Sequence, residues 1–177
     1  MAIMSSSAIK LAALQTRAIL LIQQSNWKDA AADFEEILQI KSLSNNDKRM
    51  ALHGLAISLY RSDIVMLSES LKLFDVIDDS DEIRCSKGVA LLLSRDLKKA
   101  EENFANSNLP EAKFNHALIH FRQENFGACL KMLELIERNP ELSHLSRELT
   151  ARIFLIRLEI RIDKNGLTTS FQSTVSF

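Results

Sequence analysis

The sequence predicts an all-α fold made of repeated helix pairs, and three observations support this prediction. Glycine and proline are scarce, with four Gly and two Pro in 177 residues, whereas strands joined by tight turns need more of both. Apolar residues recur at i, i+3, i+4 and i+7, the spacing of one face of an α-helix. A short residue pattern also recurs along the chain, which indicates that the helices are paired and stacked.

The composition is that of a globular protein without a strongly charged surface. Hydrophobic residues make up 46% and charged residues 25% of the chain, and the formal net charge is −1. This balance gives no electrostatic reason to expect nucleic acid or an anionic membrane as a partner. Two cysteines are too few for a disulfide framework, and no apolar run approaches the ~20 residues that span a bilayer. We therefore expect a soluble, intracellular protein of the cytoplasm or nucleus.

Three segments share a helix–turn–helix pattern with the same spacing. A small residue in the first helix is followed twelve positions later by a small residue in the second helix, and four positions further by a large apolar residue. The three sets are Ala18, Ala30 and Phe34; Gly88, Ala100 and Phe104; and Ala117, Cys129 and Leu133. In each turn the same place is taken by an Asn or Asp that can cap the second helix, namely Asn26, Asp96 or Asn125. The next residue is an apolar anchor: Trp27, Leu97 or Phe126.

A fourth copy lies between the first two and has a longer turn. Its small residues Ala56 and Ser70 are fourteen positions apart, followed by Phe74, so we expect two extra residues within "RSDIVM". A fifth first helix is predicted over 147–163 with Ala151 in the small position, although its "IFLIRLEIRI" would also fit a β-strand. This helix either caps the array or opens a longer one. The predicted organisation is a disordered or polar lead-in over 1–7, one repeat domain over 8–163 and a flexible Ser/Thr-rich tail over 164–177.

The repeated pattern has a packing explanation. Small residues at a helix crossing let the two backbones approach closely, and we expect the phenylalanine that follows to wedge against the first helix of the next pair. One pair cannot bury its apolar face alone, so its neighbours complete the core. A large residue at Ala30 or Ala100 should therefore overpack the crossing, at a cost of ~1–3 kcal/mol.

These residues resemble the tetratricopeptide repeat (TPR), a helix–turn–helix unit with a small residue in its first helix and Ala-x-x-x-Phe in its second. The resemblance covers roughly residues 8–163. The family's early Trp is replaced here by Leu14, Leu52, Arg84 and Lys113. The resemblance implies a right-handed α-α superhelix of about four repeats plus a C-terminal capping helix. It also implies that the first helices line a concave groove in which a partner peptide or helix binds.

Transfer of the family's groove positions onto this chain gives a largely apolar set. The residues are Gln15, Ile19, Ile22, His53, Ile57, Tyr60, Cys85, Val89, Leu92, Phe114, Asn115, Leu118, Phe121 and Arg122. An open apolar groove indicates an occupant, either a partner helix or another copy of this chain. The alternative is that some of these residues belong to the core between repeats.

Few residues in the sequence indicate catalysis or metal binding. His116 and His120 have the spacing of a zinc-binding pair, but no third ligand is evident, so we expect a structural pair. Cys129 holds a small core position, and no base is spaced to activate Cys85. The acidic run "DVIDDSDE", residues 75–82, reads as a solvated loop that caps the next helix. We therefore expect no enzyme activity, no cofactor and no metal.

The leading functional hypothesis is an adaptor or scaffold subunit of a larger intracellular complex. An alternative is a chaperone of the secretion-system type, in which the groove holds one dedicated client protein. A remote alternative is a metal-dependent enzyme that uses the paired histidines.

Overall fold

The computed structural model describes residues 6–164, and for residues 157–164 it describes the helical backbone alone. Within this range the chain forms nine α-helices, one 3-10 turn at Ile64–Met66 and no β-strand. The helices are α1 (Ser6–Gln23), α2 (Trp27–Leu38), α3 (Asn45–Ser62), α4 (Leu67–Asp75), α5 (Asp81–Leu93), α6 (Leu97–Ala105), α7 (Pro110–Arg122), α8 (Phe126–Ile136) and α9 (Ser143–Lys164). The all-α prediction is confirmed, and the strand alternative for "IFLIRLEIRI" is wrong. The lead-in and tail residues 1–5 and 165–177 lie outside the described range.

The helix boundaries follow the predicted caps. Asn26, Asp96 and Asn125 each accept a hydrogen bond from the backbone N–H three residues later, at 3.4, 3.2 and 3.4 Å. Each side chain thereby satisfies one of the free N–H groups that open the second helix of its pair. The longer turn of the second pair is also confirmed, because α3 and α4 are separated by the 3-10 turn. Asp63 caps this turn by accepting from the backbone N–H of Val65 at 2.9 Å.

The three short turns share a backbone conformation that the sequence did not predict. Ser25, Arg95 and Glu124, which directly precede the three caps, have φ values of 58°, 64° and 58°. In each turn the cap residue's N–H reaches back five residues to a carbonyl of the first helix, at 2.8–3.0 Å. This is the Schellman ending, in which a residue in the left-handed region closes the helix. Glycine is the usual residue there, so the absence of glycine hid the motif in the sequence.

The small and large positions of the repeat pattern are buried as predicted. Ala18, Ala30, Ala56, Ser70, Gly88, Ala100, Ala117 and Cys129 are all buried, and so are Phe34, Phe74, Phe104 and Leu133. The crossing in the second pair is close enough for the Ser70 hydroxyl to donate a hydrogen bond to the Ala56 carbonyl at 2.7 Å.

Two of the aromatic residues at the large position, Phe34 and Phe104, pack against glycines. A Cβ at Gly54 would lie 2.3 Å from Cζ of Phe34, so Phe34 packs against the first helix of the next pair, as expected. A Cβ at Gly88 would lie 2.6 Å from Cε1 of Phe104, so Phe104 packs against the first helix of its own pair. Both close approaches depend on the missing side chain of glycine.

The helices divide into two compact units at Ala112 and Lys113, where the sequence predicted one continuous repeat domain. The first unit contains α1 to α6 and the first turn of α7. Its core has one cluster centred on α1, α2 and α3 and another centred on α3, α4 and α5. The second unit contains the rest of α7 with α8 and α9, which share a third cluster around Ala117, Leu133 and Ile153.

The last helix begins earlier than predicted. The sequence placed its start at Arg147, whereas α9 begins at Ser143. The Asn139 side chain accepts hydrogen bonds from the backbone N–H groups of Glu141 and Leu142, both at 3.0 Å, and this turn leads into the helix. None of the described helices is both long and apolar enough to cross a lipid bilayer.

The acidic run between α4 and α5 has the structural role that the sequence predicted. The Ser80 hydroxyl caps α5 by accepting from the backbone N–H of Ile83 at 3.3 Å. Arg84 forms ion pairs with Asp79 and with Asp81. Arg84 also holds the pKa of Asp81 below its usual value through its hydrogen bond to that carboxylate. These contacts tie the loop to the helix that follows it.

Candidate protein-binding surfaces

In the first unit, successive first helices are joined by polar bridges along one side. The Gln15 amide of α1 donates a hydrogen bond to Asp47 of α3 at 3.2 Å. His53 of α3 hydrogen-bonds to the Ser86 hydroxyl of α5 at 3.0 Å. Gln15 and His53 both belong to the predicted groove set, and we call this side of α1, α3 and α5 the first-helix surface. Its two predicted polar residues are thus already engaged within the protein.

A pocket of about 180 Å³ opens between α1 and α3 on the first-helix surface. Four predicted groove residues line it together with five residues that the prediction missed. The predicted four are Gln15, Ile19, His53 and Ile57, and the others are Phe34, Ile37, Met50, Ala51 and Gly54. Ile19 and Met50 are each 51% exposed, so two large apolar side chains border the opening.

The pocket between α1 and α3 carries no formal charge. Its lining contains no Asp, Glu, Lys or Arg. Burial lowers the pKa of His53, so this imidazole is neutral at neutral pH. Sites for cofactors and drug-sized ligands usually measure about 300–1,000 Å³. A pocket of about 180 Å³ instead fits a single apolar side chain.

Tyr60 does not lie on the open surface, which corrects one predicted groove residue. Its side chain is only 8% exposed and packs in the core cluster with Phe74, at 6.5 Å between ring centroids. The Arg61 guanidinium lies 5.7 Å from the Tyr60 ring and 5.6 Å from the Trp27 ring. Both distances are those of cation–π contacts. Arg61 at the end of α3 therefore contacts Trp27, the predicted turn anchor of the first pair. Tyr60 is therefore a core residue of the second pair, and Arg61 makes the contact with the first pair.

Several other predicted groove residues in the first unit are half-buried. Ile22 packs against the first core cluster, and Ile57 and Val89 pack against the second. Leu92 and Cys85 are also half-buried. Burial raises the pKa of the Cys85 thiol to about 11, which keeps it protonated at neutral pH and therefore unreactive. These five residues of the predicted groove set are therefore partly covered by the core, as the alternative interpretation of the set expected.

The second unit has its own pocket, of about 560 Å³, between α7 and α9. Three predicted groove residues line it, together with five that were not predicted. The predicted three are Leu118, Phe121 and Arg122, and the others are Glu124, Phe126, Leu149, Arg152 and Ile156. Its apolar floor includes the Phe121 and Phe126 rings, whose centroids are 5.9 Å apart.

The two remaining predicted residues of the second unit, Phe114 and Asn115, are half-buried outside this pocket. Phe114 packs against the third core cluster. On the same helix, the imidazole rings of His116 and His120 stack with centroids 4.6 Å apart and planes at 28°. The predicted histidine pair therefore packs ring on ring along α7. Cys129, predicted as core, is fully buried, and burial raises its pKa to about 11.

A periodic signal could have identified some of the missed residues. Met50 precedes His53 and Gly54 by three and four positions, so all three lie on one side of α3. Phe34 and Ile37 come from a second helix, and Phe34 reaches the pocket beside Gly54 of the next pair. Glu124, Phe126 and Arg152 meet around the α7 pocket only because α9 packs there. No local pattern predicts such a contact.

No family model matches the sequence, and a search of curated proteins finds no match. The fold and the pockets define an all-α protein whose helices pack in neighbouring pairs with a repeated turn. Its functional assignment therefore depends on the geometry of this chain alone.

Proposed function

We propose that this protein is a TPR-like adaptor or scaffold that binds an apolar segment of a partner protein on the first helices of its repeats. When helix pairs stack, their first helices lie side by side and their second helices complete the core. The side-by-side first helices form an extended surface that a partner can bind. In this proposal the protein acts as a subunit of a larger intracellular assembly.

The observation that carries the proposal is the pocket between α1 and α3. Four residues that the TPR resemblance assigns to partner binding line it together, although they come from helices whose equivalent positions are 38 residues apart in the sequence (Gln15 and His53). Its rim exposes the apolar side chains of Ile19 and Met50 to water. Covering them with a partner would lower the free energy of the system. Contiguous apolar surface of this kind is typical of interaction sites.

The chemistry of the pocket favours a particular kind of ligand. The lining is uncharged, and Gln15 and His53 already hydrogen-bond to Asp47 and Ser86. A charged ligand group would lose its hydration there without gaining an ion pair. We therefore infer that one large apolar side chain of the partner segment, such as Leu, Met or Phe, enters the pocket.

Peptide selection with charge-reversed variants tests this function directly. Peptides selected from a random displayed library on the wild-type chain should share one large apolar residue. The double variant Ile19→Glu, Met50→Glu should bind a selected peptide at least ~30-fold more weakly by calorimetry, the loss expected for a central interface contact. The matched control is Val65→Glu, Val76→Glu, which places the same two charges at exposed positions outside the pocket.

Two results would overturn the proposal. One is a library that yields no peptide whose binding the pocket variant weakens. The other is affinity capture in which the pocket variant retains every protein that the wild type and the control variant retain. Circular dichroism of each variant confirms that helical content is unchanged, since both pocket substitutions are at half-exposed positions.

A further inference from the structure

Helix α9 has an uncovered face at the position where the other first helices are covered. The small residue of each first helix is buried at the crossing with its second helix: Ala18, Ala56, Gly88 and Ala117. Ala151 has the same register position in α9 and is exposed. It lines an open pocket of about 410 Å³ between α8 and α9. Among the described residues, no helix lies over this pocket.

The described residues that follow Ala151, 152–164, do not supply a covering helix. The first helices α1, α3, α5 and α7 end five or six residues after their small residue. Helix α9 instead continues for thirteen residues beyond Ala151, to Lys164. The stretch in which the other pairs turn back is therefore part of α9 itself. Residues 157–164 cannot at the same time form a second helix over the pocket.

Five residues of α9 line the pocket, and one of them, Ser146, is buried against the Leu133 carbonyl of α8. The other four form a stripe: Arg147, Thr150, Ala151 and Phe154. The spacing of three, one and three residues is that of one helix face. Phe154 is 58% exposed at one end of the stripe, Arg147 is exposed at the other end, and the two smaller residues lie between them. The stripe therefore has a long side chain at each end and room for close approach at its centre.

This stripe is complementary to itself in the antiparallel direction. The midpoint lies between Thr150 and Ala151, so a reversed copy places Arg147 level with Phe154 and Thr150 level with Ala151. A guanidinium beside an aromatic ring is a favourable cation–π pair. The centre places small residues against small residues, as in the four helix pairs within the chain. The parallel direction would instead set the two Arg147 guanidinium groups side by side, which is unfavourable.

We propose that this protein forms a two-fold symmetric homodimer in which the α9 stripe of each copy packs antiparallel against that of the other. Each Arg147 then lies on the Phe154 ring of the second copy, and both pockets between α8 and α9 are covered in one contact. Such an isologous interface closes on itself and leaves no further copy to be added. This surface is separate from the first-helix surface, so the dimer stands or fails independently of the proposed partner binding.

Sedimentation equilibrium of the full chain at 1–200 µM tests the dimer. The chain mass is 20.0 kDa, and we expect a wild-type species of twice that mass. Phe154→Lys sets a second cation opposite Arg147 and should dissociate the dimer. The substitution occurs twice in a symmetric interface, so a loss of ~30-fold per contact becomes ~1,000-fold in the dimer dissociation constant. The matched control Val65→Lys, in the first unit, should remain dimeric.

A charge-reversal rescue tests the antiparallel arrangement. In the double variant Arg147→Glu, Phe154→Lys, each new carboxylate faces a new ammonium group of the other copy, and the dimer should return. Phe154 and Arg147 are exposed, so both variants should keep the wild-type helical content by circular dichroism. Three results would each overturn the proposal: a wild type that is monomeric at 200 µM, a Phe154→Lys variant that stays dimeric, and a double variant that stays monomeric. The first would mean that another occupant covers the pocket.

Discussion

Gly88 in α5 lies at one of the closest helix approaches in the first unit, and replacing it by alanine tests whether packing or helix propensity decides stability there. A Cβ at Gly88 would lie 2.6, 2.8 and 2.9 Å from Cε1, Cδ1 and Cζ of Phe104. Carbon atoms in contact prefer separations of about 3.5–4.0 Å. Phe104 is 1% exposed, so its ring can move only by displacing other core atoms.

Two opposing effects set the expected size of the change. Alanine in place of glycine inside a helix stabilises by about 1 kcal/mol, whereas an extra methyl group in a filled core costs about 1–3 kcal/mol. We therefore expect Gly88→Ala to lower the free energy of unfolding by about 1 kcal/mol. In a Phe104→Leu background the shorter side chain leaves space for the methyl group. The same substitution should then raise the free energy of unfolding by about 1 kcal/mol.

Urea unfolding of the four proteins in this cycle measures the coupling between the two positions. The fluorescence of Trp27, the single tryptophan, reports on the first unit, which contains both positions. A coupling of about 2 kcal/mol is expected, within the usual range for residues in contact. Gly127→Ala in α8 is the control for helix propensity alone, because a Cβ there would meet nothing within 4 Å. Gly127 belongs to the second unit, so unfolding of this control is followed by circular dichroism. Stabilisation by Gly88→Ala in both backgrounds, with no coupling, would refute the packing account.

Two further predictions concern the turns and the thiols. Arg95→Gly should stabilise the protein by about 0.5–1 kcal/mol, because relief of the left-handed strain of about 1–2 kcal/mol outweighs the entropy cost of glycine. Ser94→Gly, in the ordinary helical region, is the destabilising control in urea unfolding, and equal effects of the two would contradict this reasoning. Cys85, with its pKa raised to about 11 from 9.0, should react with iodoacetamide at pH 8 about 100-fold more slowly than in the unfolded chain, since the thiolate is the nucleophile. Its rate should keep rising up to about pH 11; native labelling at the unfolded rate, followed by mass spectrometry, would contradict the buried position.

Local features of the fold could be read from the sequence with good accuracy. Each cap at Asn26, Asp96 and Asn125 is a hydrogen bond between residues three positions apart. Both partners therefore lie within one short stretch of sequence and can be recognised there. The buried register of Ala18, Ala30 and their equivalents follows from helical periodicity, which repeats within a few residues. The left-handed residues before the caps are equally local, but they were missed because Ser25, Arg95 and Glu124 are not glycines.

The candidate surfaces could be predicted only in part. The groove positions implied by the TPR resemblance, transferred by repeat register, included Gln15, Ile19, His53 and Ile57, since a residue's side of a helix is set by its position. It could not show that Tyr60 is buried with Phe74 while Ile19 stays exposed. Burial depends on which helix packs above a side chain, and that helix is distant in sequence. The same limit explains why Met50 and Phe34 were missed.

The sequence by itself determined the helices, their caps and the small-to-large spacing of each pair, because hydrogen bonding and periodicity act over one or two turns. Only the tertiary structure decided where the chain divides into two units, which groove residues line a pocket, and that α9 runs past Ala151 with one face uncovered. These outcomes depend on the packing of side chains from distant helices in a filled interior, where a difference of one methyl group changes the fit.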